Sequence, residues 1–504
     1  MLNRRTLFKA SLVSATGLLL QSCASSQGQE RQIKVGVTSR PRMLDPRQAT
    51  DALSSRVNRL IYRQLIDFNE SFEPIPDLAT WQQISPTHYR FTLTEFPRFH
   101  HGMPLTAEDV AATYRSILDK TLGSPHRGSL KKITQIDVLN NAELDFHLEA
   151  PDALFVGRLV IGILPKDLIE SQHAFQKTPI GSGPCLFKSM TEQKLVLERP
   201  DAVQLVFIPV KDATVRVLKL RKGELDIIQN DLSPELVSYC DKLDELNVQW
   251  HDGTNFGYVG FNFDDSLLSQ LEMRQALAYG INRQAIVDAV FDGHARLAGG
   301  LLVPEHWSGV ADIHGFDYRP NKAKQLVDSL KQKQPGLVND DGMIELSYKT
   351  SSDPTRIRLA TIYQSQLRKI GVALKVQSYD WGTFYNDIKQ GRFQLYSLAW
   401  VGVKSPDIFQ YVFDSDAIPP KGANRGRYRD PQADALIREA GHTQSLAKQA
   451  ELYQDLQRRL QETLAVIPLW YEDQYAVTRP QVKGYQLYSD GRFDGLLSVE
   501  LGET

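Results

Sequence analysis

The spacing of apolar residues predicts a strand-rich region with an inserted helix in the first third of the chain. Residues 106–119, "TAEDVAATYRSILD", begin with Thr106, which can cap a helix, and place four apolar side chains along one face. The residues "IDVLNNAELDFHLEAP" predict a hairpin with its turn near Asn140 and Asn141. We therefore expect a strand-rich subdomain here.

From residue 343 onward the pattern changes to alternating strands and helices. "MIELSYKTSS" predicts a strand, "TRIRLATIYQSQLRKIG" a helix that ends at Gly371, and "VALKVQSY" a second strand. Another helix is expected to begin near Trp381, and the strand "FQLYSLAW" ends at Trp400. Further on, "KQAELYQDLQRRLQETL" predicts a long helix and "AVIPLWY" a buried strand. This order predicts an α/β fold with parallel strands joined by right-handed crossovers.

Trp400 stands at the C-terminal end of a predicted strand and is followed by small, turn-forming residues. In open α/β sheets, ligands bind in the crevice beyond these strand ends. Trp400 is therefore a candidate wall of a ligand pocket, although a large aromatic residue here also fits ordinary core packing.

The first residues have the features of a bacterial export signal. Arg4, Arg5 and Lys9 precede the apolar segment 10–20, which is too short to span a bilayer, and "LQSC" has the form of a lipoprotein processing site. We expect residues 1–22 to be removed and Cys23 to carry the lipid. The arginine pair also resembles a twin-arginine signal, so the export route stays open.

Composition limits the classes of function. Removing residues 1–22 takes away three of the 58 basic residues and none of the 60 acidic residues, which leaves a net charge near −5. A general affinity for nucleic acid is therefore not expected. No later segment is apolar for long enough to cross a membrane, and the length predicts two or three domains.

Cys185 and Cys240 are the cysteines that remain after Cys23. In an exported protein they could form a disulfide, and two buried thiols are the alternative. The sequence leaves both possibilities open.

The common catalytic and nucleotide-binding motifs are absent from the sequence. It contains no G-x-S-x-G, H-E-x-x-H, G-x-x-x-x-G-K-[ST] or G-x-G-x-x-G. The adjacent His100 and His101 would point to opposite sides of an extended chain, which disfavours a shared metal. We expect neither an enzyme nor a bound metal or cofactor.

Seven segments resemble the extracellular solute-binding proteins of family 5, the dipeptide- and oligopeptide-binding group of ABC importers. The segments occur in the family's order and cover nearly the whole chain after residue 22. They are "LDP" (44–46), "FHHGMPLTAEDV" (99–110), "GSGPC" (181–185), "VLKLRKGELDII" (217–228), "VGFNFDDSLLSQLEMRQALAYGINRQAIVDAVFDGHA" (259–295), "QSQLRKIGVALKVQSYDWGTF" (364–384) and "RDPQADALIREA" (429–440).

The resemblance implies a two-lobed periplasmic-binding-protein fold of type II, with an extra subdomain in the first lobe and the ligand enclosed between the lobes. The boundaries that we expect are a tether at 23–32, lobe one at 33–255 with its subdomain at about 50–165, lobe two at 256–468, and a return to lobe one at 469–504. Hinge closure around the ligand and presentation to a permease would follow.

The resemblance also implies ligand-binding residues. Trp381 in "YDWGTF" and Trp400 in "AWVGV" match family positions that line the peptide cleft. Val401 and Gly402 belong to the same expected cleft segment.

Tyr258 precedes the "GFNF" strand near the expected crossing between lobes, where contact with ligand and core packing are both open. His126 in "SPHRG" lies in a loop that approaches the cleft in relatives, and a solvated loop histidine is the alternative.

At the position three residues after Trp400, peptide-binding members have an aspartate that pairs with the ligand's α-amino group, and this chain has Val403. An ammonium enclosed there without a carboxylate would lose its hydration without compensation. A ligand without a free α-amine is therefore expected, such as a modified peptide or another solute. Alternatively, Asp407 supplies the carboxylate and the protein is a conventional oligopeptide carrier, although Asp407 also fits a turn or helix cap.

The sequence therefore predicts a monomeric, lipid-anchored, periplasmic binding protein of an ABC importer. Its expected partners are a small peptide or other solute, permease subunits and, through the lipid, a membrane. A ligand sensor on the same fold is the alternative, but no DNA-binding helix-turn-helix is evident.

Overall fold

The computed structural model describes residues 31–94 and 97–502. The predicted signal segment and Cys23 lie outside the described residues. The chain enters the first lobe through β1 (Gln32–Val37) and α1 (Ala52–Ile61).

The subdomain that follows is strand-rich, as expected. It contains β2 (Ile66–Phe68), β3 (Pro74–Pro76), β4 (Ala79–Ser85), β5 (His88–Leu93), α2 (Ala107–Leu118), α3 (Arg127–Leu130), β6 (Ile133–Val138), β7 (Glu143–Leu148) and α4 (Lys166–Glu170). Four strands form an antiparallel sheet in the order β4-β5-β7-β6. The apolar face of α2 packs on this sheet, and Tyr114 meets Phe146 edge-on.

The chain then returns to the main part of the first lobe. This part adds β8 (Leu186–Met190), β9 (Leu195–Glu198), β10 (Gln204–Pro209), α5 (Ala213–Arg221), β11 (Ile227–Gln229) and α6 (Pro234–Asp241). The long strand β12 (Asn247–Phe261) leads out of this lobe.

The second lobe contains most of the helices. Its elements are α7 (Leu271–Gly280), α8 (Arg283–Val290), β13 (Ala295–Leu297), α9 (Pro320–Lys333), β14 (Ile344–Ser351), α10 (Pro354–Arg368), β15 (Val372–Tyr379), α11 (Trp381–Gln390), β16 (Leu395–Trp400), α12 (Ile408–Phe413), α13 (Pro431–His442) and α14 (Leu446–Glu462). The chain returns through β17 (Val466–Thr478) and ends with β18 (Val482–Lys483) and β19 (Glu500–Leu501).

One sheet continues through both lobes in the order β15-β14-β16-β12-β17-β11-β1-β10-β9-β8, with β13 paired to β17. The two long strands β12 and β17 are antiparallel and connect the lobes. Their pairing is irregular between His251 and Asn255, where the strands pass from one lobe to the other. At Gly253, a Cβ atom would lie 2.0 Å from the Glu472 carbonyl oxygen, so only glycine fits this close approach.

The predicted β-α-β unit is confirmed: β14 pairs in parallel with both β15 and β16, and α10 connects β14 to β15. The hairpin near Asn140 and the long helix before β17 are also confirmed. The predicted strand "AVIPLWY" is longer in the structure, because β17 continues to Thr478 and pairs there with β11 and β12.

Cys185 and Cys240 are both buried free thiols, which belong to different hydrophobic clusters of the first lobe. The structure therefore favours the two-thiol alternative. Burial raises the pKa of Cys185 to about 12 and that of Cys240 to about 11, so both thiols stay protonated at neutral pH.

Among residues 31–94 and 97–502, none of the helices combines the length and the apolar character that crossing a membrane requires.

Candidate ligand-binding site

A cavity of about 1050 Å³, here called the large cavity, lies between the lobes where β12 and β17 cross. The first lobe contributes Arg56 and Asp231 to its wall, the crossing strands contribute Trp250 and Glu472, and the second lobe contributes Arg356. A cavity of this size has room for a small peptide or a solute of similar size.

The wall of the large cavity carries both positively and negatively charged side chains. Arg356 donates to Glu472 with an Nη1–Oε1 distance of 3.2 Å. Burial and the neighbouring Asp252 raise the pKa of Asp473, and one of its carboxylate oxygens is buried without a hydrogen-bond partner. Burial also lowers the pKa of Arg56, although Asp231 and Asp490 oppose this shift. These incompletely compensated charges suit a polar ligand.

A second cavity, of about 510 Å³ and here called the small cavity, lies between the subdomain and the segment after β16. Trp400, Val401, Gly402, Val403 and Asp407 all line it, so the structure brings together five of the predicted ligand-binding residues. Val401 lines the large cavity as well. The two cavities therefore meet at the end of β16.

The local fold explains how these residues reach the cavity. β16 ends at Trp400, and Gly402 has a φ of +68°, a conformation that glycine adopts without strain and that turns the chain toward α12. The guanidinium of Arg425 lies 4.6 Å from the centre of the Trp400 ring. This contact fixes the indole at the cavity wall.

Asp407 is already paired within the protein. Its carboxylate accepts from the buried guanidinium of Arg158, which also donates to Asp152 with an Nε–Oδ2 distance of 3.0 Å. Burial disfavours the charge on Arg158, but the two carboxylates together raise its pKa. Asp407 thus neutralises a desolvated arginine of the subdomain.

The other acidic residue of the small cavity is paired in the same way. Asp67 accepts from Arg59 at 2.8 Å, and Arg59 also donates to Asp494 at 2.7 Å. Burial opposes the charge on Arg59, yet its hydrogen bonds to the two carboxylates raise its pKa. Each carboxylate on the wall of the small cavity therefore has an arginine partner.

His126 also lines the small cavity, with its Nε2 atom 2.9 Å from the Ala49 carbonyl oxygen. Burial lowers its pKa, which favours the neutral imidazole. The histidine thus lies at the cavity wall, in place of the solvated position that was the alternative.

Two predicted residues lie outside both cavities. The Tyr258 side chain is buried among second-lobe residues, and its hydroxyl accepts from Arg425 Nη1 at 3.2 Å. Trp381 is 59% exposed and stacks on Tyr385 with ring centres 5.5 Å apart. Neither side chain lines the large or the small cavity.

Sequence reasoning missed the basic residues of the site. Arg56, Arg59 and Arg158 face carboxylates that come from distant parts of the chain, and no local motif marks them. Only the three-dimensional arrangement reveals these pairs.

The sequence pattern of the bacterial extracellular solute-binding proteins, family 5 Middle, matches residues 73–418. Di/tripeptide-binding protein 1 of Pseudomonas aeruginosa (strain UCBPP-PA14) is 27% identical over 512 aligned positions, which cover 92% of this chain and 93% of the relative. The relative is thus similar along nearly its whole length.

Solved structures have the same fold. The ABC transporter substrate-binding protein CtaP of Listeria monocytogenes superposes with a TM-score of 0.83 at 23% identity, covering 94% of this chain and 99% of CtaP. NikZ of Campylobacter jejuni in complex with Ni(L-His) gives a TM-score of 0.78 at 24% identity, with coverage of 94% and 99%. The two-lobed type II fold with an extra subdomain, predicted from the sequence, is confirmed.

The family match spans more than half of the chain, and both di/tripeptide-binding protein 1 and CtaP are named as binding proteins. The chain therefore belongs to the bacterial extracellular solute-binding proteins of family 5 and is a binding protein, not an enzyme.

Proposed function

We propose that this protein is the lipid-anchored solute-binding component of an ABC importer, which encloses a peptide or peptide-like solute and delivers it to a membrane permease. Membership of the family supports this role, as do relatives named for di- and tripeptide binding and for an ABC transporter. The large and small cavities between the lobes provide the space for such a ligand. The protein acts as a monomer in the periplasm.

The lipid on Cys23 keeps the protein at the membrane. A tethered carrier reaches the permease at a higher effective concentration than a freely diffusing one. Cys23 and the tether lie outside the described residues, so this part of the proposal depends on the sequence "LQSC" alone.

The ligand group that reaches the small cavity carries no free α-amine. The observation that carries this proposal is that Asp67 and Asp407 each have an arginine partner, while Val403 offers no charge. An ammonium placed there would lose its hydration and gain no carboxylate. A blocked or modified peptide, or a non-peptide solute, meets no such penalty.

The alternative is a conventional oligopeptide carrier in which Asp407 binds the amine. For this, Asp407 would have to leave Arg158 and expose a desolvated guanidinium, which makes the exchange unfavourable. A ligand sensor on the same fold is a second alternative, and the family relationship to ABC importers favours transport.

Calorimetry with matched peptides tests the ligand proposal. N-acetylated di- to pentapeptides are expected to bind more tightly than the same peptides with free amines, because only the blocked forms avoid the unpaired ammonium. The Val403→Asp variant is expected to gain affinity for the free peptides by about tenfold or more, since it restores a carboxylate.

Val338→Asp is the matched control, because it adds the same charge on the exposed surface of the second lobe, outside both cavities. It is expected to leave the preference for blocked peptides unchanged. Binding of free peptides to the unmodified protein at micromolar or lower Kd, with loss on N-acetylation, would contradict the proposal.

A further inference from the structure

The solvent-facing side of the subdomain sheet carries two rows of polar side chains that cross three strands. In the first row, His88 on β5 pairs with His147 on β7. In the second row, Arg90 on β5 and Asp137 on β6 flank Asp145 on β7. The opposite side of the same strands contributes Phe91 and Phe146 to the core, so strand alternation directs the polar set outward.

The histidines and the central aspartate form a compact cluster, here called the His-Asp cluster (His88, Asp145 and His147). One potential ligand atom from each residue lies within 4.8 Å of the others. The two imidazole rings stack with centres 4.4 Å apart, and His147 Nε2 lies 3.2 Å from a carboxylate oxygen of Asp137. A fourth potential ligand thus borders the cluster.

The two histidines already contact carboxylates of the protein. His88 Nε2 is buried and lies 2.9 Å from Asp145 Oδ2. At this distance the imidazole N–H faces the carboxylate oxygen. A cation between the strands would therefore have to take the place of this proton.

Arg90 holds Asp145 without using its whole coordinating capacity. The guanidinium donates to both carboxylate oxygens, at 2.8 and 2.9 Å, and this contact lowers the pKa of Asp145. A carboxylate has about four lone pairs, so each oxygen keeps one for another partner. An arginine in this position orients the carboxylate as outer-sphere groups do in metal sites.

We propose that the His-Asp cluster binds a divalent transition-metal cation of the zinc class, with His88, His147 and Asp145 as ligands and Asp137 as the fourth. Two imidazoles and carboxylate oxygens are a ligand set that zinc prefers. In a tetrahedral zinc site the ligand atoms lie about 3.3 Å apart. The imidazole rings, which stack in this structure, would have to rotate out of the stack so that both ring planes contain the metal. The cation would connect β5 to β7 and is independent of the cavities between the lobes.

The net charge of the side chains around the His-Asp cluster favours binding of a cation. With neutral imidazoles, Asp145 and Asp137 outweigh Arg90 by one negative charge, and Glu143 faces the same side at the next position of β7. A network of ion pairs that excludes metal is the competing explanation, because Arg90 and Gln135 already contact the two aspartates. Metal titration distinguishes the two explanations.

The test is isothermal titration of tag-free, chelator-treated protein with zinc chloride, together with the visible absorption of the Co²⁺ form. We expect one zinc per chain with a micromolar Kd, and Co²⁺ bands typical of nitrogen and oxygen ligands. His147→Gln is expected to raise the Kd at least about tenfold, because it removes a ligand. His147 is partly exposed, so its replacement leaves the core of the subdomain intact.

His442→Gln, an exposed histidine on α13 of the second lobe, is the matched control and is expected to leave the Kd within about twofold. His88→Gln provides a second ligand variant, and circular dichroism verifies the fold of each. A millimolar Kd for the unmodified protein, or equal zinc binding by His147→Gln and the unmodified protein, would overturn the proposal.

Discussion

His306 is a buried residue of the second lobe that contacts the first lobe. Its ring stacks on Phe72 of the first lobe with centres 5.4 Å apart. Nδ1 accepts from the Ser308 backbone N–H at 3.1 Å, and Nε2 lies 3.2 Å from the Lys404 carbonyl oxygen. This arrangement suits the neutral imidazole with its proton on Nε2. Burial lowers the pKa of His306 to about 4.

The depressed pKa predicts a loss of stability in acid. Unfolded histidine titrates near pH 6.5, so between pH 6.5 and 4 the unfolded chain takes up a proton that the folded His306 does not. The free energy of unfolding is therefore expected to fall by about 2–3 kcal/mol over this interval through His306 alone. Urea unfolding at pH 7.5 and 4.5 measures this change.

The His306→Gln variant keeps a donor for the Lys404 carbonyl. Its free energy of unfolding is expected to fall in acid by about 2–3 kcal/mol less than that of the unmodified protein. The exposed His442→Gln is the control and should show the same loss as the unmodified protein. If His306→Gln lost as much stability in acid as the unmodified protein, the role of His306 would be refuted.

At the scale of single residues, the sequence identified residues near the end of β16 but not the arginines that pair with the carboxylates there. Trp400 was a candidate because it ends a predicted strand, Val403 was implied by the family resemblance, and both line the small cavity. Arg158 could not be found, because its partner Asp407 is 249 positions away. Tyr258 occupies a core position, because alternation along β12 directs its side chain into the second lobe.

A single capping residue, Asp109, fixes the position of helix α2. The Asp109 carboxylate accepts from the backbone N–H and the hydroxyl of Thr106 at 2.8 and 3.0 Å, and its other oxygen accepts from the Lys166 N–H at 2.8 Å. It therefore connects the start of α2 to the start of α4. The carboxylate also lies at the positive end of the helix dipole.

Asp109→Ala is expected to destabilise the subdomain by about 2–3 kcal/mol, since it removes the cap and leaves buried N–H groups without an acceptor. Hydrogen exchange in residues 107–118 measures the change. Glu108→Ala is the matched control: Glu108 forms a partly exposed ion pair with Lys166, and its loss should cost about 0.5 kcal/mol or less. Similar effects of the two substitutions would contradict the proposed role of Asp109.

The strands β12 and β17, which cross between the lobes, show where hydrophobic patterns fail to predict the extent of a strand. The helix at α2 was predicted closely because one of its faces is apolar and the other solvated. In β17, Glu472, Asp473 and Gln474 interrupt the apolar run, and they belong to the strand because they pass between the lobes beside the large cavity. A strand that faces a polar cavity lacks the hydrophobic signal of a core strand.

At the scale of the whole molecule, ion pairs join the lobes on both sides of the cavities. Arg158 of the subdomain pairs with Asp407, and Glu235 on α6 pairs with Arg358 on α10. Lys404 contacts Asp490 at 2.6 Å, and Lys404 and Arg492 lower the pKa of Asp490 to about 2 despite its burial. These pairs favour the arrangement in which the lobes meet.

The sequence could predict two lobes but not these contacts between them. The lobes followed from the family resemblance and the order of elements, whereas each pair joins residues that are 86 or more positions apart in the chain. Such pairs depend on how the lobes are oriented around β12 and β17. That orientation is a property of the tertiary structure alone.

Asp407→Asn is expected to shift the unliganded protein toward an open form. The substitution leaves the buried Arg158 with only Asp152, so closure loses about 1–2 kcal/mol of favourable interaction, about a tenfold change in the closed-to-open ratio. Small-angle X-ray scattering should therefore give a larger radius of gyration than for the unmodified protein. The exposed Asp416→Asn, which makes the same chemical change on the same lobe, should leave the radius unchanged.

The same variant separates the two proposed roles of Asp407. If Asp407 bound the α-amine of a peptide, Asp407→Asn would leave the unliganded shape unchanged and weaken only the binding of peptides with free amines. If Asp407 neutralises Arg158, the shape changes without ligand, and the affinities for blocked and free peptides fall together, because both require closure. Scattering and calorimetry on one variant thus decide whether Asp407 serves the ligand or the closure of the lobes.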